Sequence, residues 1–118
     1  MSTNSKKIAI IGGTGKEGKG LAFRWYRAGY DVIVGSRNLE KAQTAVGEVK
    51  TLVSESEGSL KAAVNKDAVK AGEVIVLTVP YKFHIQMVEF LKPFMEGKIL
   101  VDVTVPLVPP KVSKVQMP

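Results

Sequence analysis

The sequence predicts an α/β protein built on a doubly wound parallel sheet, and three observations predict it. Short runs of aliphatic and β-branched residues recur at 8–11, 31–35, 73–80 and 98–105. Such runs, with no polar alternation, suit strands covered on both faces. Segments with helical spacing lie between them, which makes βαβ units with parallel, right-handed pairing. Gly13, Gly15 and Gly18 fall in G-x-G-x-x-G spacing where the first run meets the first helix. In that context the triplet marks the Rossmann dinucleotide-binding fold.

Each glycine of the triplet has its own task. Gly13 allows the tight turn out of the strand. Gly15 lacks a Cβ, so the backbone can approach a pyrophosphate. Gly18 lets the helix pack closely against the strand. The free N–H groups and positive dipole end of the helix then face the phosphates. Gly13, Thr14, Gly15, Lys16, Glu17 and Gly18 are therefore the candidate pyrophosphate-binding set.

The first helix is expected over 16–28, with Leu21, Ala22, Trp25 and Ala28 on its apolar face and Gly29 closing it. Trp25 reads as a packing residue. The end of the second strand decides the cofactor. NAD-binding versions of the fold place an Asp or Glu there for the ribose hydroxyls. This chain has Gly35-Ser36-Arg37-Asn38, then Lys41. A carboxylate would repel a 2′-phosphate, whereas a hydroxyl, a guanidinium and an ammonium bind it. Ser36, Arg37 and Lys41 thus predict NADP(H). The plainer alternative makes Arg37 a surface residue and Ser36 an aid to capping the next helix.

That helix spans 39–53, with Asn38 as its N-cap and Leu39, Ala42, Ala45, Val46 and Val49 inward. A third strand is expected over 59–64, then a short helix over 66–71 capped by Asn65. The apolar strand 73–80 ends in Thr78, Val79, Pro80 and Tyr81. Ligands of such sheets sit beyond the carboxyl ends of the strands, so Thr78, Val79 and Pro80 are expected beside the nicotinamide. Thr78 also reads as an ordinary strand residue. A helix follows over 81–95, with Ile85, Val88, Leu91 and Phe94 inward. His84, the single histidine, lacks the companions a metal site needs. It is a candidate proton donor or acceptor beside the hydride, and no catalytic residue is otherwise assigned. In the last strand, 98–105, Asp102 either anchors a loop or lies at the open end.

With 118 residues the chain suits one domain over 1–118, with a frayed start at 1–6 and an extended Pro-rich tail at 106–118. It has no cysteine, which excludes disulfides, thiolate metal sites and cysteine nucleophiles. No apolar run approaches the ~20 residues of a membrane span, and no apolar signal region follows the start MSTNSKK, so a cytoplasmic protein is expected. The net charge of +6 is spread along the chain, and only three arginines occur. That pattern favours anionic small molecules over nucleic acid.

The stretches IAIIGGTGKEGKGLA, VIVGSRNLEKA and VIVLTVP closely resemble the coenzyme F-420-dependent NADP oxidoreductases, also called NADPH-dependent F-420 reductases. The resemblance implies reversible hydride transfer between NADP(H) and the deazaflavin coenzyme F-420. It implies that Thr14 contacts phosphate, that Ser36, Arg37 and Lys41 hold the 2′-phosphate, and that Thr78, Val79 and Pro80 lie near the nicotinamide. The family carries a smaller helical domain after the Rossmann domain, and the sequence ends before one. A non-catalytic NADP(H)-sensing module and a reductase of a small imine or carbonyl substrate share the same motifs. Val79, Tyr81, Val105 and Leu107 gather at the open edge of the sheet, which predicts an apolar patch and a homo-oligomer.

Overall fold

Five parallel strands form one sheet in the order β3-β2-β1-β4-β5. In chain order the elements are β1 (Lys7–Ile11), α1 (Lys16–Arg27), β2 (Asp31–Ser36), α2 (Leu39–Leu52), β3 (Ser59–Val64), α3 (Asn65–Ala71), β4 (Val74–Leu77), α4 (His84–Leu91) and β5 (Ile99–Asp102). The computed structural model describes residues 6–12, 14–53, 55–78 and 84–103. The predicted frayed start, apart from Lys6, and the predicted Pro-rich tail lie outside them. So do Gly13, Val79, Pro80, Tyr81, Val105 and Leu107.

The chain winds outward from β1 through β2 to β3, then crosses back to β4 on the other side of β1. The switch in strand order therefore falls between β1 and β4, where such sheets open a crevice for ligands. Register brings Ile11 opposite Gly35 on one side and Leu77 on the other. The residues that follow these three strands leave from one edge.

The apolar runs serve two cores. Ile8, Ile10, Val32, Val34 and Val76 face α1 and α2, with Trp25 packed against them. Ala9, Ile11, Ile33, Ile75 and Leu77 face α3 and α4. Successive strand side chains point to opposite faces, so a strand covered twice must be apolar at every position. Ala9, Ile10 and Ile11 are fully buried.

Several expectations are corrected. α2 buries Ala42, Ala45, Val46 and Val49, but Leu39 is 43% exposed, because it sits at the first helical position, turned off the packed face. α4 ends at Leu91 and tightens into a 3₁₀ turn at Lys92–Phe94. Pro93 lacks the N–H a continuing helix needs and its ring clashes with the preceding turn. Val88, Leu91 and Phe94 do pack inward, but Ile85 is 74% exposed. β5 is shorter than its apolar run and exposed at every residue. Asp102 lies at its carboxyl end opposite Leu77, on the surface.

Candidate functional site

The carboxyl ends of β1, β2 and β3 open onto a cleft of ≈ 840 Å³. Gly12 and Thr14 line it from the glycine turn. Ser36, Arg37, Asn38 and Lys41 line it from the β2–α2 junction, and Val64, Asn65 and Lys66 from the β3–α3 junction. Gln86, Met87 and Phe90 of α4 form the far wall. A smaller hollow of ≈ 310 Å³ shares Thr14 and Lys41 with it. Among the described residues, the lining of the main cleft holds Arg37, Lys41 and Lys66 and no carboxylate. Among the described residues the salt bridge is Lys19–Glu48, at 2.7 Å, so no described carboxylate pairs directly with those three cations, and Glu40 lines the smaller hollow beside Lys41. The positive potential is left for an anion.

Of the helices that start at this edge, α1 and α2 begin differently. The N-cap of α1 is Gly15, in extended backbone, with no side-chain hydrogen bond to the first turn. A Cβ built on Gly15 would meet nothing within 4 Å. The first-turn N–H groups thus take no side-chain cap, which suits a phosphate. α2 closes its own end: the Lys41 N–H donates to Asn38 Oδ1 at 3.2 Å, and the Asn38 N–H to Ser36 Oγ at 3.1 Å. Ser36 therefore does aid the cap, as the plainer reading expects, and it also lines the cleft. An accepting hydroxyl can still donate its own hydrogen.

The glycine turn is held from two sides. Gly12 has φ +74°, a left-handed conformation that glycine adopts without a Cβ penalty. Its N–H donates to Asn65 Oδ1 at 3.3 Å. Thr78 Oγ1 shares its one hydrogen between Gly12 O at 3.1 Å and Ile11 O at 3.0 Å. Thr78 is thus more than an ordinary strand residue, and its hydroxyl is committed to the turn. Asn65 does not cap α3: the N-cap is Val64, with no side-chain bond, and the amide reaches across the sheet instead.

Thr14, Ser36, Arg37 and Lys41 are therefore brought together in one cleft. Lys16 and Glu17 are exposed in the first turn of α1 and Gly18 is buried beneath it; none of the three lines the cleft. Val79 and Pro80 lie outside the described residues. His84 opens α4, whose next turn borders the cleft. The sequence reading missed Asn65 and Lys66 as cleft residues. Their signal was positional: Ser36 pairs with Val64 in parallel register, so the next residues share an edge with Arg37. Among the described residues no cluster of three or more His, Cys, Asp or Glu is placed to hold a metal ion. No described helix is long and apolar enough to cross a membrane.

Sheet order, uncapped glycine turn and cationic rim together define a Rossmann-type nucleotide-binding α/β fold. The same fold is seen in lactate dehydrogenase from Eimeria maxima, solved with NADH and oxamate, at a TM-score of 0.60 and 13% identity. That likeness covers 86% of this chain and 37% of that one. The chain belongs to the family described as NADP oxidoreductase coenzyme F420-dependent, whose model matches residues 7–106. It is 42% identical to the F420-dependent NADP reductase of Methanothermobacter thermautotrophicus over 101 residues, 86% of this chain and 44% of that protein. It is 41% identical to the enzyme of the same name from Methanocaldococcus jannaschii over 103 residues, 86% of this chain and 46% of that one. The chain thus spans less than half the length of these curated relatives.

Proposed function

We propose that this chain binds NADP(H) and supplies the dinucleotide half of an oxidoreductase that moves hydride between NADP(H) and coenzyme F-420. The carrying observation is the rim of Arg37, Lys41 and Lys66 with no acid among the described lining residues. Ser36, Arg37 and Lys41 hold the adenosine 2′-phosphate, Arg37 through paired hydrogen bonds or stacking. Gly13, Thr14, Gly15 and the first turn of α1 through Lys16, Glu17 and Gly18 receive the pyrophosphate on backbone N–H groups. The end of β4, with Thr78, Val79 and Pro80, lies beside the nicotinamide. The cofactors carry the hydride chemistry, and the protein's part is to position them and exclude water. A cytoplasmic setting and self-association through the apolar edge belong to the same reading.

Titration of the wild type and Arg37→Ala with NADPH and NADH tests the nucleotide assignment. Tight NADPH binding that Arg37→Ala weakens by about one to two orders of magnitude, with NADH weak throughout, supports it; equal affinities in both proteins overturn it. Mixing NADPH with oxidised coenzyme F-420, using a chain extended to its relatives' length, tests the reaction through the deazaflavin absorbance. Binding without turnover there points instead to a sensing module, and turnover on an imine or carbonyl alone to another reductase.

A further inference from the structure

We propose that Asn65, Gly35 and Thr78 form a bracket that sets the shape of the glycine turn, and so the affinity for the pyrophosphate of the dinucleotide. The ligand in this proposal rests on the NADP(H) reading above. The bracket itself rests on hydrogen bonds and close approaches around Gly12.

A glycine-rich turn loses the most conformational freedom of any backbone when it is ordered. If a phosphate had to order it, that cost would come out of the binding energy. Here both polar groups of Gly12 are already engaged, by side chains from different elements. Asn65, the first residue of α3, takes the N–H. Thr78, just past β4, takes the C=O. Both side chains belong to buried residues, 5% and 6% exposed, so water competes little for these bonds.

Asn65 follows β3, and β2 lies between β3 and β1. To reach Gly12 the amide must pass over β2, and the residue it passes is Gly35. A Cβ on Gly35 would lie 2.9 Å from Asn65 Oδ1 and 2.9 Å from Ala68 Cβ, closer than real Cβ contacts allow. Glycine weakens a strand interior and commonly marks a close approach by other groups. At position 35 that approach is the Asn65 amide. The residue preceding the phosphate-binding Ser36 and Arg37 thus makes room for the clamp on the glycine turn.

The chemistry of Asn65 fits a phosphate cleft. An aspartate would accept the same N–H but would set a negative charge among Arg37, Lys41 and Lys66. The neutral amide holds the turn without opposing the ligand.

The test joins two measurements on the chain. Hydrogen exchange of the Gly12 amide, read by NMR without nucleotide, reports the bracket. Dissociation constants for NADPH and for adenosine 2′-monophosphate, which lacks a pyrophosphate, report its consequence. Asn65→Ala and Gly35→Ala are expected to speed Gly12 exchange and weaken NADPH by about tenfold, the worth of one buried hydrogen bond. Asn65 also lines the cleft, so affinity for adenosine 2′-monophosphate should fall too, but clearly less than that for NADPH, since that ligand does not reach the turn. Thr78→Val should weaken NADPH as Asn65→Ala does, and Thr78→Ser should restore it. Asn65→Asp should keep slow Gly12 exchange yet lose NADPH affinity. Unchanged Gly12 exchange in both Asn65→Ala and Gly35→Ala overturns the bracket, and so does a parallel loss of both ligands. A wild type that binds neither ligand removes the NADP(H) reading, while the exchange measurement still decides the bracket.

Discussion

The two flanks of β1 are built from similar residues and end differently. On one side β2 is buried at every position but its first, with α1 and α2 on one face and α3 on the other. On the other side β4 is largely buried, but β5 is exposed throughout. Among the described residues, Ile99, Leu100 and Val101 on β5 and Ile85 and Phe90 on α4 are exposed large hydrophobics, and the first flank adds Leu39 and Leu52. The flank that carries the proposed phosphate contacts finds its cover within the described residues. The flank proposed for the nicotinamide does not, and exposed apolar surface is where partners bind. Binding of the dinucleotide and chemistry upon it are therefore separable demands on the structure.

The largest expected break is between the two ends of one sheet. Ile10→Ala, at a fully buried site, should cost about 2–5 kcal/mol. Leu100→Ala, at a residue 42% exposed, should cost less than about 1 kcal/mol. Chemical denaturation of both variants checks it, and equal losses would mean that β5 is covered in solution. Next, Arg37→Ala should weaken NADPH by about 1.5–3 kcal/mol, the range for hydrogen bonds to charged groups, and leave NADH nearly unmoved. Calorimetric titration reads both. A smaller effect belongs to the tie between the flanks. Lys98 Nζ donates to Lys70 O at 3.1 Å and Gly72 O at 2.5 Å, a cation at the carboxyl end of α3. Lys98→Met should cost about 0.3–1 kcal/mol at low salt and less at high salt, seen as a shift in thermal midpoint. Smallest of all, Leu100→Lys should lower the self-associated fraction in light scattering at high concentration while NADPH affinity holds. An unchanged fraction would free the edge strand of that role.

The elements of the first flank were legible because their signals are local. The run DVIVG, the cap at Asn38 and the spacing of Ala42, Ala45, Val46 and Val49 each specify their own structure. Thr14, Ser36, Arg37 and Lys41 were legible because parallel strands deliver their carboxyl ends to one edge. Asn65 was misread as a cap because local rules favour that use of asparagine; its partner Gly12 lies 53 residues away. Pro93 was overlooked within an apolar period, so α4 was drawn too long. KILVDV reads as a buried strand, yet β5 is bare. An apolar run records what could cover a strand, not whether these residues provide it. Lys16, Glu17 and Gly18 are in the motif by position, and none of the three is in the cleft lining.

The strand order also sets a timetable. β1 meets β2 early, but its other neighbour is far along the chain: Lys7 and Glu73, 66 residues apart, join at its start. Ribosomes add ~5–20 residues per second, so the central strand waits for seconds with one edge unpaired. Non-local pairing of this kind makes folding slow. Ile8 to Ile11 is then an apolar segment with one edge left unpaired until β4 has been made, although it is buried once folding is complete.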